Sequence, residues 1–320
     1  MHLGLPEEID PSLFHFFPSG VDVSRIGSNF QGTLDLDMWV LPFYKKQAAT
    51  ARQHVRSVKV VQSLLAGVDA YLPLIPEGAT LCDGQGVHDV PVAEWIVGVI
   101  LASLKYIPYF VRMQATGDWK QRSGAEALYR DAHPDEPPKL PPPLEDELAG
   151  KTVLIAGYGS IGRATETVLA PFGVNILRLG RTGRDGIAPQ EKLDELLPQA
   201  DIVVLLVPLT DETRGWIGAR RLGLMKHGAL LVNAARGPVV DTDALVAALH
   251  SGRIHAAVDV TDPEPLPLGH PLWSAPNLLL TPHIAGASPR FMERAMQLVG
   301  QQCSRYMAGE PLCNIVSAGY

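Results

Sequence analysis

Short apolar segments alternate with stretches of helical periodicity along most of the chain. Seven segments are rich in branched aliphatic residues without an alternation of apolar and polar positions, as expected of strands buried on both faces. They are residues 58–64, 152–157, 175–179, 201–207, 229–234, 256–260 and 277–281. Four segments between them have helical spacing, namely residues 161–173, 191–199, 219–228 and 241–252. This order predicts an α/β protein with a doubly wound parallel sheet.

The longest apolar segment, residues 90–110, predicts one continuous helix. It is hydrophobic on all sides, which predicts burial against a second domain or a second subunit. Glu94 and Lys105 interrupt the apolar run, and Pro91 and Pro108 bracket it, so we do not expect it to span a membrane.

A proline-rich segment, residues 121–149, lies just before the second predicted strand. Six of its prolines fall within residues 134–143, a density typical of extended, polyproline-like chain. We therefore predict a long surface connection there.

The composition is that of an ordinary globular protein. The chain has 320 residues, 46% of them hydrophobic and 19% charged, and its length predicts about two domains. The net charge of −7 gives no electrostatic support for binding nucleic acid. The first residues lack the layout of a signal peptide, and Cys82, Cys303 and Cys313 have no metal or redox spacing. We therefore expect reduced cysteines, no metal site, no membrane contact and a cytoplasmic protein.

A glycine-rich turn follows the second predicted strand. Gly157, Gly159 and Gly162 form a G-x-G-x-x-G pattern that leads into a predicted helix, the context in which this pattern binds a dinucleotide. The first glycine permits the tight turn, the second lets the backbone approach the pyrophosphate, and the third allows close packing of helix and strand. Ser160 and Ile161 begin the helix, whose free N–H groups would bind the phosphates.

The residues after the third predicted strand bear on the choice of cofactor. An acidic residue about 20 positions after the first glycine would bind the adenine ribose hydroxyls and repel a 2′-phosphate. Here Gly180 occupies that position, followed by Arg181, Thr182 and, further on, Arg184. Arg181 can pair with a 2′-phosphate through two parallel donors, with Thr182 adding a hydroxyl, which predicts NADP. The alternative is that Arg181 stacks on the adenine and that NAD is used as well.

Three polar side chains are predicted to lie just beyond the carboxyl ends of strands, where ligands bind in open parallel sheets. Arg236, Glu264 and His283 follow the fifth, sixth and seventh predicted strands. An arginine can grip the carboxylate of a 2-oxo acid, and a histidine stabilised by a carboxylate can protonate the alkoxide that hydride transfer forms. Each residue alone has a structural alternative, as a loop cap, part of a proline-rich turn, or a core hydrogen-bonding group. Together, beside a dinucleotide loop, they indicate an active site.

Eight motifs carry a resemblance to a known family. They are LLAGVDAYL (64–72), VPVAEW (90–95), LAGKTVLIAGYGSIG (148–162), VPLTDETRGWIG (207–218), VNAARGPVVDTDAL (232–245), DVTDPEPLPLGHPLW (259–273), NLLLTPHIAGAS (277–288) and GEPLCNIV (309–316). In this order they make the chain similar to the D-isomer-specific 2-hydroxyacid dehydrogenases, near the branch of the glyoxylate/hydroxypyruvate reductases.

The resemblance implies two domains of Rossmann-like or flavodoxin-like architecture, each with a parallel sheet. Residues 1–90 and 290–320 would form a discontinuous substrate-binding domain, into which residues 91–289 would be inserted as the dinucleotide-binding domain. It also implies a homodimer in which the helix at 90–110 carries much of the interface.

The resemblance also implies roles for individual residues. Arg236, Glu264 and His283 would be the catalytic set acting on a small 2-oxo or 2-hydroxy acid. The backbone of Ala66 and Gly67 would bind the substrate carboxylate together with Arg236. Asp259 would hold the nicotinamide carboxamide, and further contacts to the cofactor would come from Val207, Pro208, Thr213, Ala234 and Gly286.

The chain departs from the family pattern in several places. Ala285 stands where the family usually has a glycine, residues 1–57 match weakly and leave the substrate open, and Glu264 in place of glutamine argues against the formate dehydrogenase branch. The main interpretation is an NADPH-dependent reductase of glyoxylate, hydroxypyruvate or a related 2-oxo acid. One alternative is a dinucleotide-sensing binding protein of the corepressor kind. Another is an enzyme of the alanine dehydrogenase or homocysteine hydrolase type, against which the motifs around Glu264 and His283 argue.

Overall fold

The computed structural model of the protein describes residues 1–316. Its β-strands are β1 (His2–Pro6), β2 (Asp22–Ile26), β3 (Leu34–Val40), β4 (Val55–Gln62), β5 (Thr80–Cys82), β6 (Thr152–Ala156), β7 (Asn175–Gly180), β8 (Ala188–Pro189), β9 (Ile202–Leu205), β10 (Leu230–Asn233), β11 (His255–Val258) and β12 (Leu278–Leu280). Its α-helices are α1 (Lys45–Arg52), α2 (Asp89–Leu104), α3 (Ile107–Thr116), α4 (Gly124–Ala132), α5 (Ser160–Leu169), α6 (Leu193–Leu196), α7 (Ala219–Leu224), α8 (Thr242–His250) and α9 (Phe291–Ala308).

Two compact units make up the chain. The first contains Met1–Asp89 and the chain from Ala287 onward, and the second is Val90–Gly286. The second unit is therefore inserted into the sequence of the first. The assignment of substrate binding to the first unit and dinucleotide binding to the second stays a prediction.

The first unit is built on a five-stranded sheet in the order β2-β1-β3-β4-β5. All its strand pairs are parallel, and this is the strand order of flavodoxin-like sheets. One buried cluster joins the strands to α9 through Met296 and Val299, and a second joins them to α1 through Ala48 and Ala51. The sheet is thus covered on both faces.

Four strands of this sheet are missing from the sequence-based prediction, which contains only β4. β1, β2 and β5 have five residues or fewer. In β3, Asp35 and Asp37 interrupt the apolar positions. Short strands and polar interruptions weaken the apolar signal on which the prediction depends.

The second unit is built on a seven-stranded sheet in the order β12-β11-β10-β9-β6-β7-β8. Neighbouring strands are all parallel. Successive residues of a strand, such as Leu154 and Ile155 on β6, pack in two different buried clusters. This is expected of a sheet that is covered on both faces. The six strands predicted between residues 152 and 281 correspond to β6, β7, β9, β10, β11 and β12. The predicted α/β class with two parallel sheets is confirmed.

The apolar segment at 90–110 is not one helix, contrary to the prediction. α2 ends at Leu104 and α3 begins at Ile107, and the two helices are bent by 61°. Tyr106 between them has left-handed backbone with a φ of 49°. Pro108, in the first turn of α3, has no N–H with which to continue a helix from α2.

The apolar surface of α2 packs in the core of its own unit. Ile96 and Ile100 are fully buried in the cluster on one face of the seven-stranded sheet. This face of the helix is therefore buried by its own sheet, and the burial of α2 against a second domain or subunit stays a prediction. Among the described residues no single helix meets the length and hydropathy needed to cross a membrane, whereas α2 and α3 together meet them as a bent pair.

The segment at 121–149 is only partly extended. A 3-10 turn at Trp119–Ser123 leads into α4, which buries Tyr129 and two alanines. The chain has no regular secondary structure from His133 to Leu148, where the prolines are concentrated. The prediction of extended chain is therefore wrong for residues 121–132, where helix formers such as Ala125 and Leu128 outweigh the nearby prolines.

Candidate active site

The carboxyl ends of the strands in the second unit lie at one edge of the sheet, because all of its strands are parallel. Along this edge, His283 follows β12, Glu264 follows β11 and Arg236 follows β10. The glycine-rich turn follows β6, and Gly180 ends β7. The predicted catalytic residues thus follow three adjacent strands on the edge that also carries the predicted dinucleotide loop.

The glycine-rich turn brings β6, α5 and β9 into close contact. Gly157 has a φ of 104°, which side chains other than glycine rarely adopt. A Cβ on Gly157 would lie 2.5 Å from the carbonyl carbon of Leu206. A Cβ on Gly162 would lie 3.2 Å from the Cγ2 of Ile155, so α5 packs tightly on its strand.

The N-terminus of α5 fits a dinucleotide pyrophosphate. The helix begins after Gly159, which is exposed. Apart from its two neighbours in the chain, no heavy atom of the described residues would lie within 4 Å of a Cβ on Gly159. The first turn has no acidic residue, so the partial positive charge at the helix start is not offset by its own side chains. Ser160 and Ile161 lie in this first turn, where backbone N–H groups bind phosphates.

Arg178, on β7, is held within the second unit. Its Nε donates to Glu166 Oε2 at 2.8 Å, and the Tyr158 hydroxyl donates to the same oxygen at 2.5 Å. These bonds, with that of Arg178 first, hold the pKa of the Glu166 carboxyl below its ordinary value. Arg178 therefore fixes β7 against α5.

The turn beyond β7 presents the residues predicted to select NADP. Gly180 ends the strand, and a Cβ there would lie 3.1 Å from the Cγ2 of Ile187. Arg184 and Ile187 exchange backbone hydrogen bonds of 3.1 and 2.7 Å, which close the turn. Arg181, Thr182 and Arg184 are all exposed. A guanidinium and a hydroxyl therefore lie next to the position where an acidic residue is absent.

Arg236 lies in a loop that residues on either side hold in place. Asn233, buried at the end of β10, donates to the Arg236 carbonyl at 3.2 Å and accepts from the Ala235 N–H at 3.0 Å. A Cβ on Gly237 would lie 1.9 Å from the carbonyl oxygen of Thr261, so the loop after β10 touches the loop after β11. The predicted site does not include Asn233, although a polar residue at the end of an apolar strand is a signal for it.

His283 and Glu264 form a close pair at the same edge. The Nδ1 of His283 lies 2.6 Å from Glu264 Oε1, and the two side chains are 51% and 41% exposed. Because the carboxylate engages Nδ1, Nε2 is the ring atom that can face a substrate. The structure thus brings together the imidazole and carboxylate that the sequence places 19 residues apart.

Asp259 is buried at the end of β11 and binds the turn that carries His283. Its carbonyl oxygen accepts from the His283 N–H at 2.7 Å. Its carboxylate accepts from the Ile284 N–H at 2.9 Å and from the Ala285 N–H at 2.8 Å. The contact of Asp259 with a nicotinamide carboxamide stays a prediction, whereas its hold on residues 283–285 is direct.

The other predicted cofactor positions differ in exposure. Thr213 is 6% exposed, and its hydroxyl donates to the Pro208 carbonyl at 2.6 Å and accepts from the Thr210 N–H at 2.8 Å. This side chain therefore holds the loop after β9 together. The remaining positions are partly or fully exposed: Val207, Pro208, Ala234 and Gly286. Their contacts with a cofactor stay predictions.

Ala66 and Gly67 lie in the loop after β4 of the first unit, and both are half-buried. The Ser63 hydroxyl donates to the Leu65 carbonyl and accepts from the Leu65 N–H, both at 3.0 Å. The Gly84 N–H donates to the same carbonyl at 2.8 Å. The loop is therefore fixed at the carboxyl edge of the five-stranded sheet, and its binding of a substrate carboxylate stays a prediction.

Comparisons with known sequences place this arrangement in a family. The family model for the D-isomer specific 2-hydroxyacid dehydrogenase, NAD binding domain, matches residues 97–285. The chain is 38% identical to a glyoxylate reductase of Thermofilum pendens over 265 residues, covering 79% of this chain and 73% of the relative. It is 35% identical to an uncharacterized protein in the proB 3′ region of Corynebacterium melassecola over 274 residues, covering 82% and 84% of the two chains.

A solved structure agrees with the sequence comparisons. The D-isomer specific 2-hydroxyacid dehydrogenase of Xanthobacter autotrophicus Py2, in complex with NADPH and MES, is 29% identical and matches with a TM-score of 0.79. The match covers 100% of this chain and 99% of that chain. With a family model that spans more than half of the sequence, the chain belongs to the D-isomer-specific 2-hydroxyacid dehydrogenases, a family of NAD(P)-dependent oxidoreductases.

Proposed function

We propose that the protein reduces a small 2-oxo acid, such as glyoxylate or hydroxypyruvate, to the D-2-hydroxy acid with NADPH. The observation that supports this most is the pair of His283 and Glu264 at 2.6 Å, on the sheet edge that also carries Arg236 and the glycine-rich turn. A proton donor, a carboxylate-binding arginine and a dinucleotide loop are the groups that reduction of a 2-oxo acid requires. The relative named glyoxylate reductase supports this substrate class.

Each group has a defined task in this reaction. Arg236 binds the substrate carboxylate through parallel donors and polarises the neighbouring carbonyl. When bound, the reduced nicotinamide supplies a hydride to the carbonyl carbon. The Nε2–H of His283 donates its proton to the developing alkoxide. Glu264 stabilises the imidazolium that carries this proton.

The proposed preference for NADPH rests on the turn beyond β7. Gly180 leaves no carboxylate to repel a 2′-phosphate, and the exposed Arg181 and Thr182 offer a guanidinium and a hydroxyl. Arg178 does not serve this purpose, since it is bound to Glu166. The NADPH in the Xanthobacter autotrophicus relative supports the same choice. The alternative is that Arg181 stacks on the adenine and NAD is also used.

Steady-state kinetics with a panel of 2-oxo acids and both cofactors tests the proposal. We expect turnover of glyoxylate or hydroxypyruvate, with a higher kcat/KM for NADPH than for NADH. A higher kcat/KM for NADH would contradict the cofactor assignment. NADPH binding without turnover of any acid would contradict the proposed reaction and indicate a dinucleotide sensor.

A further inference from the structure

A chain of side-chain hydrogen bonds runs from α2 to the residues around His283. The indole Nε1–H of Trp95, on α2, donates to the hydroxyl of Thr281 at 3.1 Å. That hydroxyl donates to Asp259 Oδ1 at 2.6 Å. All of these residues belong to the second unit. Neither Trp95 nor Thr281 has a place in the proposed reaction.

The direction of these hydrogen bonds is fixed by the chemistry of the groups. An indole N–H can only donate, and an ionised carboxylate can only accept. The Thr281 hydroxyl has one hydrogen, so it accepts from Trp95 and directs that hydrogen to Asp259. Trp95 therefore selects the orientation in which Thr281 binds the carboxylate.

Asp259 uses both its backbone and its side chain to hold the catalytic turn. The N–H groups of three successive residues, His283, Ile284 and Ala285, all donate to this one residue. His283 itself has a φ of 54°, a left-handed conformation that a residue with a side chain adopts only when its surroundings require it. The main-chain carbonyl of Asp259 thus holds His283 itself, and its carboxylate holds the two residues that follow.

Because Asp259 is buried, its carboxylate depends on the hydrogen bond from the Thr281 hydroxyl. Asp259 is 3% exposed, and a buried carboxylate that loses a hydrogen-bond donor incurs a large desolvation cost. Oδ1 receives hydrogen bonds from the Thr281 hydroxyl and the Ile284 N–H. Without the hydroxyl, Oδ1 keeps only the Ile284 N–H among these two donors, and we expect the carboxylate to shift and to displace the turn that it binds.

We propose that Thr281 and Trp95 are positioning residues that act through Asp259 to keep the His283 ring on Glu264 and aimed at the substrate. The proposal rests on the proposed role of His283 as proton donor. Glu264 is the charged group that contacts the ring, and Asp259 is the charged group that binds its backbone. Neither Thr281 nor Trp95 would touch the substrate.

Thr281→Val and Thr281→Ser form a matched pair for the test. Valine has nearly the shape of threonine but no hydroxyl, whereas serine keeps the hydroxyl. We expect Thr281→Val to lower kcat by about 10- to 100-fold, since small misplacements of a catalytic group have effects of this size. We expect KM for the 2-oxo acid to change little, because Thr281 does not touch the substrate. Thr281→Ser should stay within about threefold of the wild type in kcat.

Trp95→Phe tests the first hydrogen bond of this series, from Trp95 to Thr281. It keeps an aromatic ring in the core but removes the N–H, so the Thr281 hydroxyl loses its fixed direction while Asp259 keeps a donor within reach. We expect a smaller decrease in kcat than for Thr281→Val, again with little change in KM. If Thr281→Val does not fold, the kcat of Trp95→Phe tests the proposal in its place.

A measurement without substrate or cofactor separates this proposal from the proposed function. The ring of His283 can be followed by NMR in histidine-labelled protein, with His283→Gln to assign its signal. We expect the ring signal to change its position in Thr281→Val and to overlay the wild type in Thr281→Ser. Absence of turnover in the wild type would refute the proposed function without altering this result.

Two results would overturn the positioning role. One is a folded Thr281→Val protein whose kcat and His283 ring signal both match the wild type. The other is a Thr281→Ser protein as impaired as Thr281→Val, because the effect would then not depend on the hydroxyl.

Discussion

At the scale of single residues, the contacts of His283 determine what its ring can do. Glu264 occupies Nδ1 at 2.6 Å, and Asp259 binds the backbone N–H at 2.7 Å. A carboxylate at Nδ1 fixes the ring and leaves Nε2 to face a substrate. In the proposed reduction of a 2-oxo acid, Nε2–H would donate the proton that the alkoxide requires.

Glu264→Gln keeps the shape of the side chain but removes its negative charge. The hydrogen bond at His283 Nδ1 then loses its charged acceptor, so the ring is held less firmly. We expect kcat with the 2-oxo acid to fall by about tenfold or more, while the Kd for NADPH changes little. A Glu264→Gln protein with the wild-type kcat would show that the pair does not operate in solution.

The residues of the site differ in how visible they are in the sequence. Arg236, Glu264 and His283 stand out because each is polar and follows an apolar segment. Asn233 also follows this rule, but it looks like the last residue of a strand rather than the anchor of a loop. The pairing of Trp95 with Thr281, 186 residues apart, has no sequence signal, because it depends on how α2 packs on the sheet.

At the scale of elements, the turn beyond β7 carries the charges on which the proposed preference for NADPH rests. Its strand is fixed by the bonds of Arg178 to Glu166, so the turn projects from a rigid base. Its tip carries exposed Arg181 and Arg184 and no acidic residue until Asp185. Cofactor preference should therefore follow the charge of this turn.

Arg181→Ser removes the guanidinium that we assign to the 2′-phosphate. Hydrogen bonds to charged groups contribute about 1.5–3 kcal/mol, so we expect kcat/KM for NADPH to fall by about tenfold or more while the value for NADH changes little. Arg220→Ser is the control, since Arg220 is an exposed arginine on α7 bound to Asp194. An equal loss with both cofactors would contradict the assignment of Arg181.

The contact between the loops after β10 and β11 depends on Gly237. A Cβ there would lie 1.9 Å from the Thr261 carbonyl oxygen, so Gly237→Ala must push the Arg236 loop away from the Glu264 loop. We expect the free energy of unfolding to fall by about 1–3 kcal/mol, measured by denaturant titration, and the activity to fall with it.

Gly223→Ala is the matched control for this substitution. Gly223 lies in α7. Apart from the backbone of its own helix, no heavy atom of the described residues would lie within 4 Å of a Cβ on Gly223. Alanine in a helix should leave stability unchanged or raise it by about 0.4–1 kcal/mol. A Gly237→Ala protein as stable and active as Gly223→Ala would contradict the described contact between the loops.

The elements of the second sheet are more predictable than those of the first. β6, β9 and β10 are apolar on both faces because helices cover both faces, and such runs are visible in any sequence. β1 and β2 are short, and their pairing is set by β3, a strand distant in sequence. The break between α2 and α3 at Tyr106 could not be predicted from the hydrophobic pattern, because apolar residues continue on both sides of it.

At the scale of the whole molecule, we propose a homodimer. α3 and the turn after it expose apolar side chains, with Ile107, Val111 and Trp119 at 48%, 56% and 79% exposure. A second copy of the chain would cover such a surface, in keeping with the predicted interface near residues 90–110. α2 would add Val90, which is 51% exposed, whereas Ile96 and Ile100 of the same helix pack on its own sheet.

Light scattering after gel filtration tests the dimer. We expect a mass of twice 34.6 kDa, and we expect Trp119→Glu to shift the protein toward the monomer by placing a charge in the interface. Leu268→Glu is the control, since Leu268 is 100% exposed and lies outside this surface. A wild-type monomer at micromolar concentration would contradict the proposal.

The measurement that tests the central claim most directly is the rate of NADPH oxidation by His283→Gln with glyoxylate or hydroxypyruvate, with the Kd for NADPH determined in parallel. If His283 is the proton donor, kcat should fall by about 100-fold or more, while the Kd for NADPH stays within about threefold of the wild-type value. A His283→Gln protein that reduces the same acid at the wild-type rate would contradict the account.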